Sequence, residues 1–503
     1  MYTSKSYNRI IKSTGLFGGV QIINILISII RSKITALLLG PSGVGLYGLF
    51  QSLATTIQLL TGLGIGSSAV KFVASGANSG DGKKLAESIS SLRLWALATG
   101  IFGVLIMVCL SGTLSRWMFG NKAHATGIAL ISVTLLFTSI SNAQLAILQG
   151  IRDLRSLAKV SVFGQFSGLF FILPLYWLLG EKGIVPAYIL TSIIALLFSW
   201  YFSKDIIADK IKLSFKEKIV NGTEMVKLGI ILAVNGIINS VVFLIIRKYI
   251  NTHGGILEVG LFQAGYNLCN TYVGFVFTAI ATDYFPALSG VANSIKERNR
   301  LVCQQLEVGI LIILPIIIFA MTFLPIVIII FLSDKFLPIV SMVQWSLVSV
   351  LFKMVIWSIG YLFLAVGDYK TAFIIDNVYN LLLLISYIVF YNLFGVEGLG
   401  ICLLPITFLT LIINILVGFK KFSLAFSKDT FLLIIKSFLI GGISFCSAYF
   451  LDRKINYYIG SGILFFSLYF VVFELNKRIP VKELMQRSLE KIGIKFQPLS
   501  NMD

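Results

Sequence analysis

About fourteen apolar runs, each long enough to cross roughly 30 Å of hydrocarbon, follow one another between residues 14 and 475. That succession constrains the chain more than any single motif does. Inside a bilayer the backbone finds no water, so each run must close its amide and carbonyl groups on itself as a helix. The runs fall at 14–38, 43–67, 88–112, 125–149, 159–180 and 184–203, then at 225–250, 258–286, 304–332, 338–366, 371–394 and 396–419, with a last pair at 430–451 and 455–475. Hydrophobic residues make up 57% of the 503 and charged residues only 13%, a balance that no soluble domain of this size sustains. The expected fold class is an all-α polytopic membrane protein. The net charge of +19 does not argue for nucleic acid, because the Lys and Arg residues cluster in the short segments between apolar runs, where membrane topology places them. Cys109, Cys269, Cys303, Cys402 and Cys446 stand singly in apolar surroundings and read as small core hydrophobes, not as a disulfide or metal framework. Lys5, Arg9 and Lys12 precede the first run with no small-residue cleavage site behind it, so that run reads as a retained span.

The second constraint is a duplication. Gly40 to Leu53, GPSGVGLYGLFQSL, returns as Glu258 to Leu268, EVGLFQAGYNL, at an offset of about 215 residues. Val44, Gly45, Leu46, Leu53, Thr56 and Ile65 then meet Val259, Gly260, Leu261, Leu268, Thr271 and Ile280, and Ala77-Asn78-Ser79 meets Ala292-Asn293-Ser294. With one residue of slack, Ile30-Arg31 lies opposite Ile246-Arg247. The expected organisation is therefore an N-terminal six-helix lobe at 1–203, a basic connector at 204–224, a second six-helix lobe at 225–419, an additional helix pair at 420–476 and a basic tail at 477–503. If the N-terminus is cytoplasmic, roughly 28 of the 41 basic residues fall on the inside, as the positive-inside rule asks. Both termini are then cytoplasmic. An even number of runs separates Gly45 from Gly260, so the halves should be parallel repeats about an axis along the membrane normal, with a cleft on that axis. Glycines in the repeated block suit tight turns and close helix packing.

Ionisable side chains inside a span are costly and default to functional candidates. Lys353 is the deepest, near the middle of its run, and should face a water-filled cavity, against a buried structural pair. Arg31, Lys33, Arg247 and Lys248 lie towards the outer ends of runs 1 and 7; lining a vestibule and anchoring helix ends both remain open for them. Lys71 suits an interface anchor, and Lys436 a snorkelling lysine. Asp283, Asp376 and Glu307 lie near inner helix ends and are the candidates to carry a coupling proton, against simple exposure or pairing. Neutral polar residues recur on the equivalent runs: Gln21, Asn24, Gln51 and Gln58, then Asn235, Asn239, Gln263, Asn267 and Asn270. They suit a wet lumen able to pass a sugar. Deep cations without a midplane carboxylate suit an anion, and pyrophosphate is the anion that such donors bind best.

Other chemistries are excluded by what is missing. The sequence has no GxxxxGK[ST] nucleotide loop. Its two histidines, His124 and His253, form no ligand or nucleophile constellation. No cofactor, metal, nucleotide or nucleic-acid partner is expected, and no connecting segment is long enough for a large catalytic loop.

Several stretches resemble the lipid-linked oligosaccharide flippases of the O-antigen and enterobacterial-common-antigen type. They are LGPSGVGLYGLFQSL, VKFVA at Val70–Ala74, LQGIRD at Leu148–Asp153, LIIRKYI at Leu244–Ile250, EVGLFQ at Glu258–Gln263, LSDKF at Leu332–Phe336 and FKMVIWSIGYL at Phe352–Leu362. The resemblance places the chain in the multidrug, oligosaccharidyl-lipid and polysaccharide exporter superfamily and implies two pseudosymmetric six-helix bundles. It implies an undecaprenyl-diphosphate-linked oligosaccharide and membrane lipid as partners, with a polysaccharide polymerase and a chain-length regulator as further ones, in the bacterial inner membrane. Lys33, Lys71, Arg152, Arg247, Lys248 and Lys353 occupy the matching basic positions, with Asp153 as their paired acid. Runs 430–475 are additional to the twelve-span pattern and suit a flippase for an O-antigen or capsule. An ion-coupled multidrug antiporter and an integral-membrane polysaccharide polymerase are the alternatives.

Overall fold

The computed structural model describes residues 4–79, 81–204, 206 and 214–478, and side chains from residue 20 onward apart from Ile22, 271–273, 275–276 and 278–283. In chain order the helices are α1 (Ser4–Thr61), α2 (Ile65–Asn78), α3 (Gly82–Phe119), α4 (Ala125–Ile131), α5 (Val133–Gly150), α6 (Leu154–Leu179), α7 (Ile184–Ser203), α8 (Phe215–Asn267), α9 (Val273–Gly290) and α10 (Ile295–Phe331). They continue as α11 (Val340–Ala365), α12 (Tyr369–Ile401), α13 (Leu403–Phe422), α14 (Lys428–Phe450) and α15 (Arg453–Arg478). Among the described residues, 11 helical stretches are long and apolar enough to cross a membrane. Three of them, Ile23–Thr61, Leu154–Ser203 and Phe215–Asn270, are longer than one bilayer requires and break at Gly40, Gly180 and Gly255. Each holds two crossings, which brings the count to about fourteen. Large apolar side chains such as Phe170, Trp177 and Leu178 are more than 70% exposed, the outward-facing apolar surface that a lipid solvent requires.

The breaks sharpen the duplication. Gly40 and Gly255 both take a positive φ, 64° and 79°, at equivalent positions of the repeat, so one helix becomes two without a loop. Gly180 and Gly395 do the same at 54° and 60°. Arg152 and Gly367 form a third equivalent pair at 61° and 85°. Left-handed backbone is free for glycine and strained for other residues, so its return at one offset marks a repeated backbone and not only a repeated composition. Each member of the third pair precedes an aspartate that caps the next helix. Asp153 accepts from the Ser156 amide and Asp368 from the Thr371 amide, both at 3.1 Å.

Two departures from the sequence expectation are local. The run expected at 43–67 stops at Thr61 and restarts at Ile65 after a turn at Leu63 and Gly64, both with positive φ. The run expected at 258–286 passes through a π-helical turn at Leu268–Tyr272.

The chain divides into two compact units. The first comprises residues 1–272, 328–339 and 376–402; the second comprises 273–327, 340–375 and 403–503. Within the first, Ile65, Ala69 and Val73 of α2 pack with Leu92 and Ala96 of α3, Ala143 and Ile147 of α5, and Met225 of α8. In the same unit α1 and α8 run along each other. Their backbones touch where the repeated glycines meet, because a Cβ on Gly45 would strike the Ile256 carbonyl and one on Gly260 the Pro41 carbonyl. In the turn between α1 and α2, Gly64 meets Gly229 of α8 as closely, since a Cβ on Gly64 would strike the Gly229 carbonyl and one on Gly229 the Leu63 carbonyl. Small residues that let helices approach are how membrane helices gain packing energy without a hydrophobic drive between them. In the second unit α11 packs on α13 and α14, with α15 against α14. There Gly309 leaves room for the Met354 side chain, Gly441 for Leu351 and Gly460 for Thr322.

Candidate functional site

Arg31 and Arg247 hold equivalent places in the two copies, and each reaches forward across its glycine break to the helix beyond. Arg31 Nη2 donates to Tyr47 Oη at 3.1 Å, and Arg247 Nε donates to Gln263 Oε1 at 3.0 Å; in both cases the partner lies 16 residues on. Gln263 Nε2 in turn donates to Asn267 Oδ1 at 3.2 Å. Arg31, Tyr47, Gln51, Gln263 and Asn267 line a cavity of about 230 Å³ inside the first unit, together with Ser28, Ser32 and Thr35. None of the described residues in its wall is acidic. Each guanidinium spends one hydrogen bond on its neighbour and keeps other N–H donors in its planar fork. A guanidinium among neutral amides and hydroxyls, with no carboxylate to neutralise it, has the donors and the charge to hold an anion.

A second cavity of about 450 Å³ shares Arg31 and is otherwise neutral, with Gln21, Asn24, Gln149, Ser161 and Gln165 in its wall. A third, of about 580 Å³, shares Gln149 with the second and adds Gln58, Ser139 and Asn142. Polar lining thus continues from the arginine along α1, α5 and α6.

The other nominated residues sit elsewhere. Asn235 donates to Asp376 at 3.1 Å and accepts from Asn377 at 2.9 Å, while Asn239 donates to Asn380 at 3.1 Å. These bonds tie the first half of α8 to α12 around a carboxylate. Lys33 Nζ donates to the Ile329 carbonyl at 2.5 Å, near the carbonyl-rich end of α10, where a cation meets the negative pole of the helix. Lys71 on α2 and Arg152 before α6 are exposed, and Lys248 on α8 is half-buried. Asp153 is held below the ordinary carboxylate range: burial opposes its charge, but the Ser156 side chain and amide, the Arg155 amide and the charge of Lys159 outweigh that. Lys353 is half-buried on α11 of the second unit, between buried Met354 and Phe352, whose ring meets Phe438 edge-on at 4.5 Å. Glu307 accepts from Thr430 Oγ1 at 2.5 Å and from Arg478 Nε at 2.7 Å. Lys436 pairs with Glu474 at 3.7 Å. The side chain of Asp283 lies outside the described residues.

Tyr47, Ser161 and Asn380 contribute to these clusters without having been nominated from the sequence. Tyr47 carried a usable signal, since it lies inside the repeated block at the same separation from Arg31 as Gln263 from Arg247. Ser161 and Asn380 carried none: their partners lie 137 and 141 residues away.

The polysaccharide biosynthesis protein family matches residues 34–341, more than half of the chain. The lipid III flippase of Escherichia coli (strain K12) is 22% identical over 342 residues, which is 66% of this chain and 80% of that protein. The lipid III flippase of Shigella flexneri matches equally. Among solved structures, the lipid II flippase MurJ in an inward closed conformation superposes with a TM-score of 0.72 at 15% identity, covering 93% of this chain and 99% of that one. An inward-facing multidrug resistance MATE family transporter superposes with a TM-score of 0.68 at 17% identity, covering 80% and 94%. Apolar helices, duplicated backbone and family match agree: the chain is a multi-pass membrane protein that belongs to the polysaccharide biosynthesis protein family.

Proposed function

We propose that the protein is a transporter, a flippase that carries an undecaprenyl-diphosphate-linked oligosaccharide repeat unit from the cytoplasmic to the periplasmic leaflet of the bacterial inner membrane. The observation that carries the reading is the acid-free cavity in which Arg31 stands, with its repeat equivalent Arg247 hydrogen-bonded to Gln263 of the same lining. The diphosphate binds the guanidinium donors, the glycan follows the neutral polar lining, and the polyprenyl tail stays in lipid. Alternating access comes from rocking of the two repeat halves, with both termini cytoplasmic. Lys353, Lys33, Lys71, Arg152 and Lys248 are the further basic residues assigned to the substrate's path.

Energy comes from an ion gradient or from substrate flux. Asp376, hydrogen-bonded to Asn235, is the best-placed of the ion-coupling candidates, since Glu307 is already paired with Arg478. A polysaccharide polymerase and a chain-length regulator act on the exported unit. The name of the lipid III flippase relatives supports the lipid-linked class of substrate. Complementation tests the site: Arg247→Ala and Lys353→Ala should each fail to restore surface polysaccharide to a flippase-null strain, and normal polysaccharide from both would remove these residues from it.

The fold is shared with multidrug transporters, which keeps one rival in view. Drug resistance on expression, with no change in surface glycan, would favour an antiporter.

A further inference from the structure

Two side chains along the neutral cavities are built alike. Asn24 is 9% exposed; its Nδ2 donates to Ser161 Oγ at 2.8 Å, and its Oδ1 has no hydrogen-bond partner among the described residues. Gln58 Nε2 donates to Ser139 Oγ at 3.0 Å, and its Oε1 is likewise buried without a partner. A serine hydroxyl can donate or accept, so turning either amide over would only exchange an orphaned oxygen for an orphaned amine. Leaving such an atom unpaired in a dry wall is unfavourable, and a natural chain keeps one where something else completes the bond.

We propose that these two carboxamides form a subsite for the sugars nearest the diphosphate, and that it selects uncharged ones, a hexose or an N-acetylhexosamine. This rests on the flippase reading and adds the class of sugar. Asn24 and Gln58 line cavities of about 450 and 580 Å³ that meet at Leu145 and Gln149, a size in the range of small-molecule sites. Seven helical residues, or about 10 Å, separate Asn24 from Arg31, so a ligand whose diphosphate lies at Arg31 brings its first sugar to Asn24, and the next one enters the adjoining cavity that Gln58 lines. Hydroxyl and acetamido groups both donate and accept, and so complete either face of an amide. Beyond Arg31 the described lining of these two cavities offers no cation. A uronate carboxylate there would be desolvated without a counter-charge.

The test uses the full chain in lipid nanodiscs and three probes: farnesyl diphosphate, farnesyl diphospho-N-acetylglucosamine and farnesyl diphospho-glucuronate. The neutral sugar should tighten binding about tenfold over the bare diphosphate, as two modest hydrogen bonds would, and glucuronate should give no gain. Asn24→Leu combined with Gln58→Leu should bring the ratio of neutral-sugar to bare-probe affinity to about one. Asn24→Asp, nearly isosteric, keeps an acceptor; it should retain the preference for the neutral sugar and weaken the glucuronate probe further. Equal binding of neutral-sugar and bare probes to the wild type would overturn the subsite while leaving the flippase reading intact. So would a ratio that the double leucine variant leaves unchanged, or a glucuronate probe that binds as tightly as the neutral one. Failure of all three probes to bind the wild type would overturn the flippase reading and the subsite with it.

Discussion

Gly260→Ala tests whether the repeated glycines exist to let α1 and α8 touch. A methyl group at 260 would overlap the Pro41 carbonyl and stand 2.9 Å from the Gly45 nitrogen, where unstrained carbon contacts begin near about 3.5 Å. The obstacle is backbone, so no rotamer change relieves it and the helices must part. Overpacking of this kind costs about 1–3 kcal/mol, with more where backbone must shift. Gly45→Ala meets the same contact from the other side, its Cβ 2.8 Å from the Gly260 nitrogen. Once one methyl has separated the helices, the second has less to displace, so the double variant should lose less than the two single losses combined. Gly236, on α8 as well, has no atom within 4 Å of its would-be Cβ. Gly236→Ala should therefore be neutral, or gain up to about 1 kcal/mol from helix propensity. Thermal unfolding of purified protein at one fixed scan rate compares the four. A Gly260→Ala midpoint equal to that of Gly236→Ala would refute the close contact.

Further outcomes follow from ion pairs and caps in both units. Arg478 joins Glu307 and Glu474 with side-chain exposures of 18%, 12% and 6%; Glu474 keeps Lys436 and Lys477 when Arg478 is removed, so Arg478→Ala strands chiefly the Glu307 carboxylate, and a loss of up to about 3 kcal/mol, measured as a lowered unfolding midpoint, is expected, part of which the compensating Glu307→Gln should recover. The Asp368 carboxyl is held at about 2, below its ordinary 3.8, by hydrogen bonds first from Lys421 and then from the Thr371 side chain and amide. Because the folded value is the lower one, stability from this clasp is complete above about pH 4 and lost as pH falls towards 2; Asp368→Asn should flatten the midpoint's dependence on pH across that window, and an unaltered slope would discard the assignment. Asp153→Ala removes the cap of α6 and should cost about 1 kcal/mol, seen as faster amide exchange confined to the first turn after Asp153.

The helical class, the positions of the spans and the duplication were open to a reading of the chain because they rest on periodicity and composition, which act locally. Gly40 could be seen as a turn, and its equivalence to Gly255 follows once the offset is known. That Gly45 and Gly260 face each other could not be seen, since it depends on how two helices more than 200 residues apart are laid together. The same limit explains the site. Arg31 and Arg247 were marked by the cost of charge within an apolar run, and Gln51 and Asn267 by their place on equivalent runs. Glu307 was marked by the same cost as a coupling candidate, yet its partner Arg478 comes from a helix 171 residues away, beyond what spacing reveals. Lys436, read as snorkelling, also has a distant partner in Glu474. Lys33, two residues from Arg31, likewise finds its hydrogen-bond partner far along the chain, at the Ile329 carbonyl.

The proposed site is tested most directly by lipid translocation in proteoliposomes that carry a fluorescent undecaprenyl-diphosphate-linked oligosaccharide, scored by how much label becomes accessible to a membrane-impermeant quencher. Wild-type protein should move the label between leaflets. Arg31→Gln with Arg247→Gln, which keeps hydrogen-bonding groups but removes the charge that lines the acid-free cavity and the one bonded to its Gln263, should slow movement at least tenfold, since one charge-assisted bond contributes about 1.5–3 kcal/mol. Transport by the double variant at the wild-type rate would contradict the assignment of the diphosphate to these two arginines.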